Sequence, residues 1–160
     1  VKASAGILMH RRRSGRTEVL LVHPGGPFWA RKDVAAWSIP KGEYLPGEDA
    51  LAAAAREFAE ELGAPLPAGA VPFPLGEVRQ RGGKVVAAWA VEGDVDCARI
   101  RSNTFALEWP PGSGRLQDFP EVDRAEWFST DVAADKINPA QRAFLDRLTQ
   151  HLEDASKRTP

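Results

Sequence analysis

The stretch Val85-Val86-Ala87-Ala88-Trp89-Ala90-Val91 is apolar at both phases of a strand. Side chains alternate across a strand, so this one has no face to give to water. It predicts a central strand covered on both sides. Leu75 to Gln80 reads as its neighbour, joined to it around Gly82-Gly83, a pair that supplies the positive φ angles of a tight hairpin. Ala5 to His10 and Val19 to His23 read as two further strands about a Ser14-Gly15 turn, with Pro24-Gly25-Gly26-Pro27 as a breaking loop. Short strands are expected at Trp37 to Ile39, Thr104 to Trp109 and Ala125 to Phe128, with a loop from Gly112 to about Pro120. Two helices are expected: Asp49 to Leu62, closed by Gly63, and one starting at Asn138-Pro139 with Asn138 as N-cap. Phe144, Leu148 and Leu152 form the buried stripe of the second. The result is a mixed sheet with helices on its faces, an α/β or α+β sandwich.

The first helix carries the chemistry. Glu57, Glu60 and Glu61 stand at i, i+3 and i+4 and share one face, while Leu51, Ala54, Phe58 and Leu62 share a neighbouring face. One side packs on a core and the other presents three carboxylates. Carboxylates at that spacing repel, and a cation removes the repulsion. Hard oxygen ligands suit Mg²⁺ or Mn²⁺, and Mg²⁺ usually brings substrate phosphates into its shell. A plain solvated acidic face is the competing reading.

The register around the helix decides between them. Gly42 is followed after five residues by Glu48, after seven more by Arg56-Glu57-Phe58, then, each after one residue, by Glu60-Glu61 and by Gly63. This resembles the Nudix box, G-x5-E-x7-R-E-U-x-E-E-x-G-U with U a bulky apolar residue. Only the last position departs, where Ala64 is smaller than usual. The resemblance implies an α/β/α sandwich with a mixed β-sheet between helices, a single Nudix hydrolase domain over residues 1–160. Glu57, Glu60 and Glu61 would ligate the divalent metals, and the Gly42 carbonyl would be a further ligand. Arg56 would orient the glutamates; it also precedes Glu60 by the four residues of a helical ion pair. Glu48 would brace the box or an outer metal, or serve as an acid at a helix N-terminus.

Trp37-Ser38-Ile39-Pro40-Lys41-Gly42 resembles the lead-in of Nudix enzymes acting on dinucleoside polyphosphates and RNA 5′ ends, where Lys41 would touch a substrate phosphate. Trp37 itself reads as a core residue. Phe119-Pro120-Glu121-Val122 and Trp127-Phe128 resemble the late family segment in which a glutamate reaches the metals from a loop. Glu121 is thus a candidate ligand or general base, with Asp118 and Asp123 as rivals. The general base is Glu57 or Glu121. Arg11-Arg12-Arg13 and Arg16 read as a solvated turn, with phosphate or RNA contact as the alternative. His10 and His23 read as packed. Cys97 has no histidine beside it to mark a nucleophile, and no zinc spacing occurs.

A net charge of -1 gives no reason to expect a general nucleic-acid or membrane binder, and 43% hydrophobic residues suffice for a core. One cysteine forbids an internal disulfide. No apolar run is long enough for a membrane span, and the first residues run from apolar to basic, the reverse of a signal peptide. A cytoplasmic protein is expected. The chain opens on Val1, so a short N-terminal piece is expected to be missing.

The function implied is metal-dependent hydrolysis of a phosphoanhydride in a nucleoside diphosphate-linked small molecule, by water attack on phosphorus without a covalent intermediate. Nucleoside triphosphates and dinucleoside polyphosphates are favoured, with capped or triphosphorylated RNA ends a further possibility. The dinucleoside polyphosphate choice meets one departure: many such enzymes carry a tyrosine after the box, and the only tyrosine here is Tyr44, inside it. The alternatives are a Nudix-like module that senses a nucleotide without cleaving it, and an unrelated domain with a chance acidic helix.

Overall fold

The computed structural model describes residues 2–158. Val1, on which the expectation of a missing piece rests, lies outside them. Strand β1 (Ala3–Arg13) turns at Ser14-Gly15 into β2 (Arg16–Pro24). They are followed by β3 (Lys41–Glu43), α1 (Ala50–Leu62), β4 (Phe73–Arg79), β5 (Val85–Glu92), β6 (Thr104–Glu108), β7 (Leu116–Pro120), β8 (Val122–Ser129), α2 (Thr130–Lys136) and α3 (Arg142–Arg158). The main sheet runs β4-β5-β1-β2-β8. β1 and β5 are parallel and the other pairs antiparallel, so the sheet is mixed as expected.

The doubly apolar strand explains the layering. Val86, Ala88 and Ala90 of β5 join Leu8, Val19, Leu21, Phe144 and Leu148 in a core beneath α2 and α3. Val91, with Trp89 packed alongside, joins Ile7, Met9, Leu20, Phe58 and Leu62 in a second core beneath α1. Helices therefore cover both faces, an α/β/α sandwich. No helix among the described residues is long and apolar enough to cross a membrane.

One irregularity positions the site. β1 and β2 pair only from His10–Val19 to Arg13–Arg16. Beyond that they diverge, and residues 38–43 fill the opening. Ser38 exchanges N–H···O bonds with Val22 (2.8 and 3.0 Å), the Ile7 N–H donates to the Pro40 carbonyl (3.1 Å), and β3 pairs with β1 from Ser4 to Gly6. The strand expected at Trp37 to Ile39 is thus only a pair of single-residue bridges. Regular pairing begins after Pro40, which has no N–H to donate to a ladder.

Three other expectations need correction. The loop to Pro120 contains β7, which pairs only with β6 and is almost wholly exposed, so it has no apolar alternation to read. Helix α2 buries only Ala133 and carries no stripe. Asn138-Pro139 opens a 3₁₀ turn, Pro139–Gln141, and α3 starts after it; the Asn138 side chain still caps, accepting from the Ala140 N–H at 3.0 Å. Helix α1 keeps its expected limits, with the Asp49 carboxylate accepting from the Ala52 N–H and Gly63 left-handed at φ 73°.

Candidate active site

Helix α1 presents its glutamates to the wedge between β1 and β2. Glu57 and Glu61 are buried, at 8% and 9% exposure, rather than displayed on a solvated face. Glu57 lies directly against Gly42: a Cβ added there would stand 2.1 Å from the Glu57 carboxyl carbon. Arg56 gathers the acids around it. Its guanidinium donates to Glu48 at 3.0 Å and to Glu57 at 3.1 Å, and pairs with Glu60 at 3.5 Å. Glu48 therefore braces Arg56, and its other oxygen accepts the Leu45 N–H at 3.3 Å.

Glu121 occupies the single residue between β7 and β8, and backbone bonds fix it near α1. Its N–H donates to the Asn103 carbonyl (2.8 Å), and the Asn103 N–H donates to the Glu60 carbonyl (3.0 Å). Its own carbonyl accepts from Gly25 at 2.9 Å. The Glu121 charge is felt at both Glu57 and Glu61. Asp118 points from an exposed strand, and Asp123 is engaged by His23 at 2.9 Å. Of the three late acids, Glu121 is the one brought to the box.

The carboxylates crowd one another in a partly dry place. Burial pushes the Glu61 carboxyl up to about 8, with Lys41 opposing and Glu57 and Glu121 adding repulsion. Burial and then Glu60 raise Glu57, against Arg56; desolvation and then Glu60 raise Glu121. Lys41 is pushed down by burial first and by Lys84 next, while Glu61, Glu43 and Glu57 favour its charge. Among the described residues no three His, Cys, Asp or Glu side chains are already drawn round one point as a finished metal site. Arg56 holds Glu57 and Glu48 instead. The donor chemistry nevertheless fits a hard divalent cation: carboxylate oxygens whose charged forms are disfavoured first by burial and then by neighbouring carboxylates.

Lys41, Glu61 and Glu121 line a cavity of about 280 Å³ together with Trp37, Ser38, Trp29, Gln80, Asn138 and Gln141. The sequence reading did not reach these last four. Asn138 was legible only as a cap, and nothing in Gln80 or Gln141 marks a cavity wall. Trp37 is a core residue as expected, edge-on to His23 and Phe128. His23 is packed, bonded to the Lys32 carbonyl and to Asp123. Arg11 is spent on Glu18 and Asp94, Arg13 on Asp94 and Arg12 on the Gly15 carbonyl.

The NUDIX domain model matches residues 2–148. The chain belongs to the Nudix family. Solved structures with the same fold include an Ap4A hydrolase from C. elegans in a binary complex, at a TM-score of 0.65 and 22% identity over 96% of this chain and 99% of that one. The NUDIX domain of Shewanella oneidensis NrtR, complexed with ADP ribose, gives 0.62 and 15% identity, covering 94% and 87%. A MutT protein from Methanosarcina mazei Go1 gives 0.59 and 22%, covering 95% of each chain. At these identities the likeness is one of fold. The Nudix box occupies the wedge and α1, so the acids of the box and Glu121 come from sequence-distant elements that the fold joins.

Proposed function

We propose that this Nudix hydrolase cleaves a phosphoanhydride bond in a nucleoside triphosphate or dinucleoside polyphosphate, with Mg²⁺ or Mn²⁺ held by Glu57, Glu60, Glu61 and the Gly42 carbonyl. The observation that carries the reading is the crowding of Glu57, Glu61 and Glu121 beside Lys41, with Lys41, Glu61 and Glu121 lining a cavity of about 280 Å³. The C. elegans relative's activity on Ap4A agrees with the substrate class. A bound divalent cation would neutralise the diphosphate and the charge that shifts in the transition state. Lys41, which lines the cavity, would hold a phosphate oxygen. Arg56 would fix the rotamers of Glu57 and Glu60. Glu121, arriving from outside the helix, would take the proton of the attacking water, with Glu57 as the alternative base. We place the protein in the cytoplasm, where nucleotides are abundant and a lone, half-buried Cys97 stays reduced.

The test is a panel of nucleotides with Mg²⁺ or Mn²⁺ in ¹⁸O-labelled water. The label is expected on a phosphate product, because the site polarises phosphorus and offers no carboxyl pair around an anomeric carbon. Label on a sugar hydroxyl would reject the chemistry. A second reading is a module that binds nucleotide without cleaving it. Binding across the panel with no turnover would establish it.

Glu121→Gln is expected to lower kcat and kcat/KM together by about a hundredfold, with KM little changed. Asp118→Asn is the control for loop charge. Asp123→Asn is a poor one, since Asp123 holds the buried His23. Near-wild-type kcat in Glu121→Gln would move the base to Glu57.

A further inference from the structure

The ribbon of β6 and β7 stands apart from the main sheet, and its two strands pair only with each other. The bonds at its two ends fix which backbone groups point inward. The Glu121 N–H donates to the Asn103 carbonyl at 2.8 Å, and the Trp109 N–H to the Arg115 carbonyl at 3.0 Å. Bonded and unbonded pairs alternate along an antiparallel ladder, so the odd-numbered residues of β6 are the ones bonded to β7. The N–H and C=O groups of Thr104, Ala106 and Glu108 therefore point away from it. All three residues are exposed, and among the described residues no other segment takes their backbone groups.

The other strand edges of the fold are closed. At β4, Arg147 Nη1 donates to the carbonyls of Leu75 and Glu77, at 2.9 and 3.0 Å. Beside β8 lies the segment 95–102, tied on by the Val122 N–H to Ser102 Oγ (3.0 Å) and by Trp127 Nε1 to the Val95 carbonyl (3.1 Å). At β7, Pro120 has no N–H to give, and a Cβ added to Gly25 would stand 1.9 Å from the Pro120 carbonyl oxygen. β6 has no such cover. Nor is the ribbon free to fold over and hide it. Its stem is held by the Asn103 N–H on the Glu60 carbonyl at 3.0 Å, and its tip by Trp109, edge-on to Phe28 at 5.4 Å.

The open edge is complementary to itself. Antiparallel pairing about a two-fold axis through Ala106 engages every residue of β6. Thr104 meets Glu108, Phe105 meets Leu107, and Ala106 meets its own copy. Each pair formed by the outward-pointing residues can exchange two backbone bonds. No like charges face each other, the threonine hydroxyl can donate to the glutamate, and Phe105 with Leu107 makes an apolar cross-strand pair. The same operation on β7 would set Asp118 against Asp118.

We propose that β6 pairs with β6 of a second copy of this chain, giving a four-stranded sheet, β7-β6-β6-β7, across a two-fold interface. Because the paired strands run in opposite directions, the two stems lie at opposite ends of that sheet. The contact is small, so the association is weak and concentration-dependent.

Sedimentation velocity over a wide concentration range is expected to show monomer passing to dimer, with a dissociation constant on the order of tens of micromolar. Ala106→Lys and Ala106→Glu each put like charges face to face at the axis. At low ionic strength each is expected to weaken association by about fivefold or more, and an equimolar mixture of the two to restore it. Ala106→Pro removes an N–H that the β6–β7 ladder does not use and is expected to abolish the dimer. Circular dichroism checks the fold of each variant, and the charge variants, at an exposed position, remain the test if the proline variant misfolds. Monomer at every concentration, a dimer that both charge variants leave as tight as wild type, a mixture no tighter than its separate components, or a folded Ala106→Pro that still dimerises would overturn the proposal.

Discussion

Chelating divalent cations is expected to cut turnover at least about a thousandfold, since the loss of several kcal/mol of charge stabilisation is worth that much. Glu61→Gln with metal present is expected to reproduce much of the loss. The same residue makes a second, independent prediction on stability. Its carboxyl stands at about 8 in the folded protein against an ordinary value of 4.5, chiefly because it is buried. A raised value means that the folded state holds the proton more tightly than the unfolded chain does. The associated stability is complete below the ordinary value and drains away as pH rises from there through about 8. The ceiling is a few kcal/mol, and Glu57 and Glu121 shift in the same direction. The Tm of metal-free protein is therefore expected to fall by several degrees from mild acid to pH 8, at roughly 2–4 °C per kcal/mol. Glu61→Gln should flatten that slope and raise the metal-free Tm at the alkaline end. Added Mg²⁺ should raise the wild-type Tm more as pH increases. A flat metal-free profile would mean that Glu61 is not held in the dry setting described, and full turnover in excess chelator would end the metal mechanism.

Gly42→Ala is expected to lower kcat by about a hundredfold, the scale of a misplaced catalytic group. The added methyl would fall 2.1 Å from the Glu57 carboxyl carbon and 2.2 and 2.4 Å from its oxygens. Neither side can withdraw freely. The Gly42 backbone is paired with Ala5 inside the wedge, and the Glu57 carboxylate is buried and held by Arg56. The end of a glutamate is nonetheless the softest part of that contact. The carboxylate should swing aside while the sheet survives, so activity should suffer far more than Tm. Wild-type kcat in the variant would show that Glu57 does not need its place against Gly42.

Much of this was legible in the chain before folding. The doubly apolar Val85 to Val91 demanded two covering layers, and the Gly42-to-Gly63 register named the acids and their helix. Helix α1 was readable to its caps because Asp49 and Gly63 are local signals. What escaped depends on contacts between distant segments. Spacing told which glutamates share a face, but not that Glu57 and Glu61 are buried, because that follows from the wedge that closes over them. Glu121 was one acid among three until Asn103 tied its backbone to Glu60. Gln141 looked like an ordinary polar residue before a helix, and its value comes from partners about a hundred and about sixty positions away. β7 and α2 bury too little to leave a pattern.

The wedge has a consequence for how the protein can fail. Residues 38–43 supply the Ile39 N–H that the Gln141 side chain accepts, Lys41 in the cavity lining and Gly42 under Glu57, and they are gripped by β1 on one side and by Val22 on the other. On the proposed function, recognition and chemistry would share one inserted ribbon with no hinge between them. Prising that ribbon loose means opening the middle of the sheet, an event that belongs to global unfolding rather than to local breathing. A partly unravelled chain would lose its choice of ligand and its catalytic arrangement at the same moment, so damage to the sheet should yield a silent protein rather than a promiscuous one.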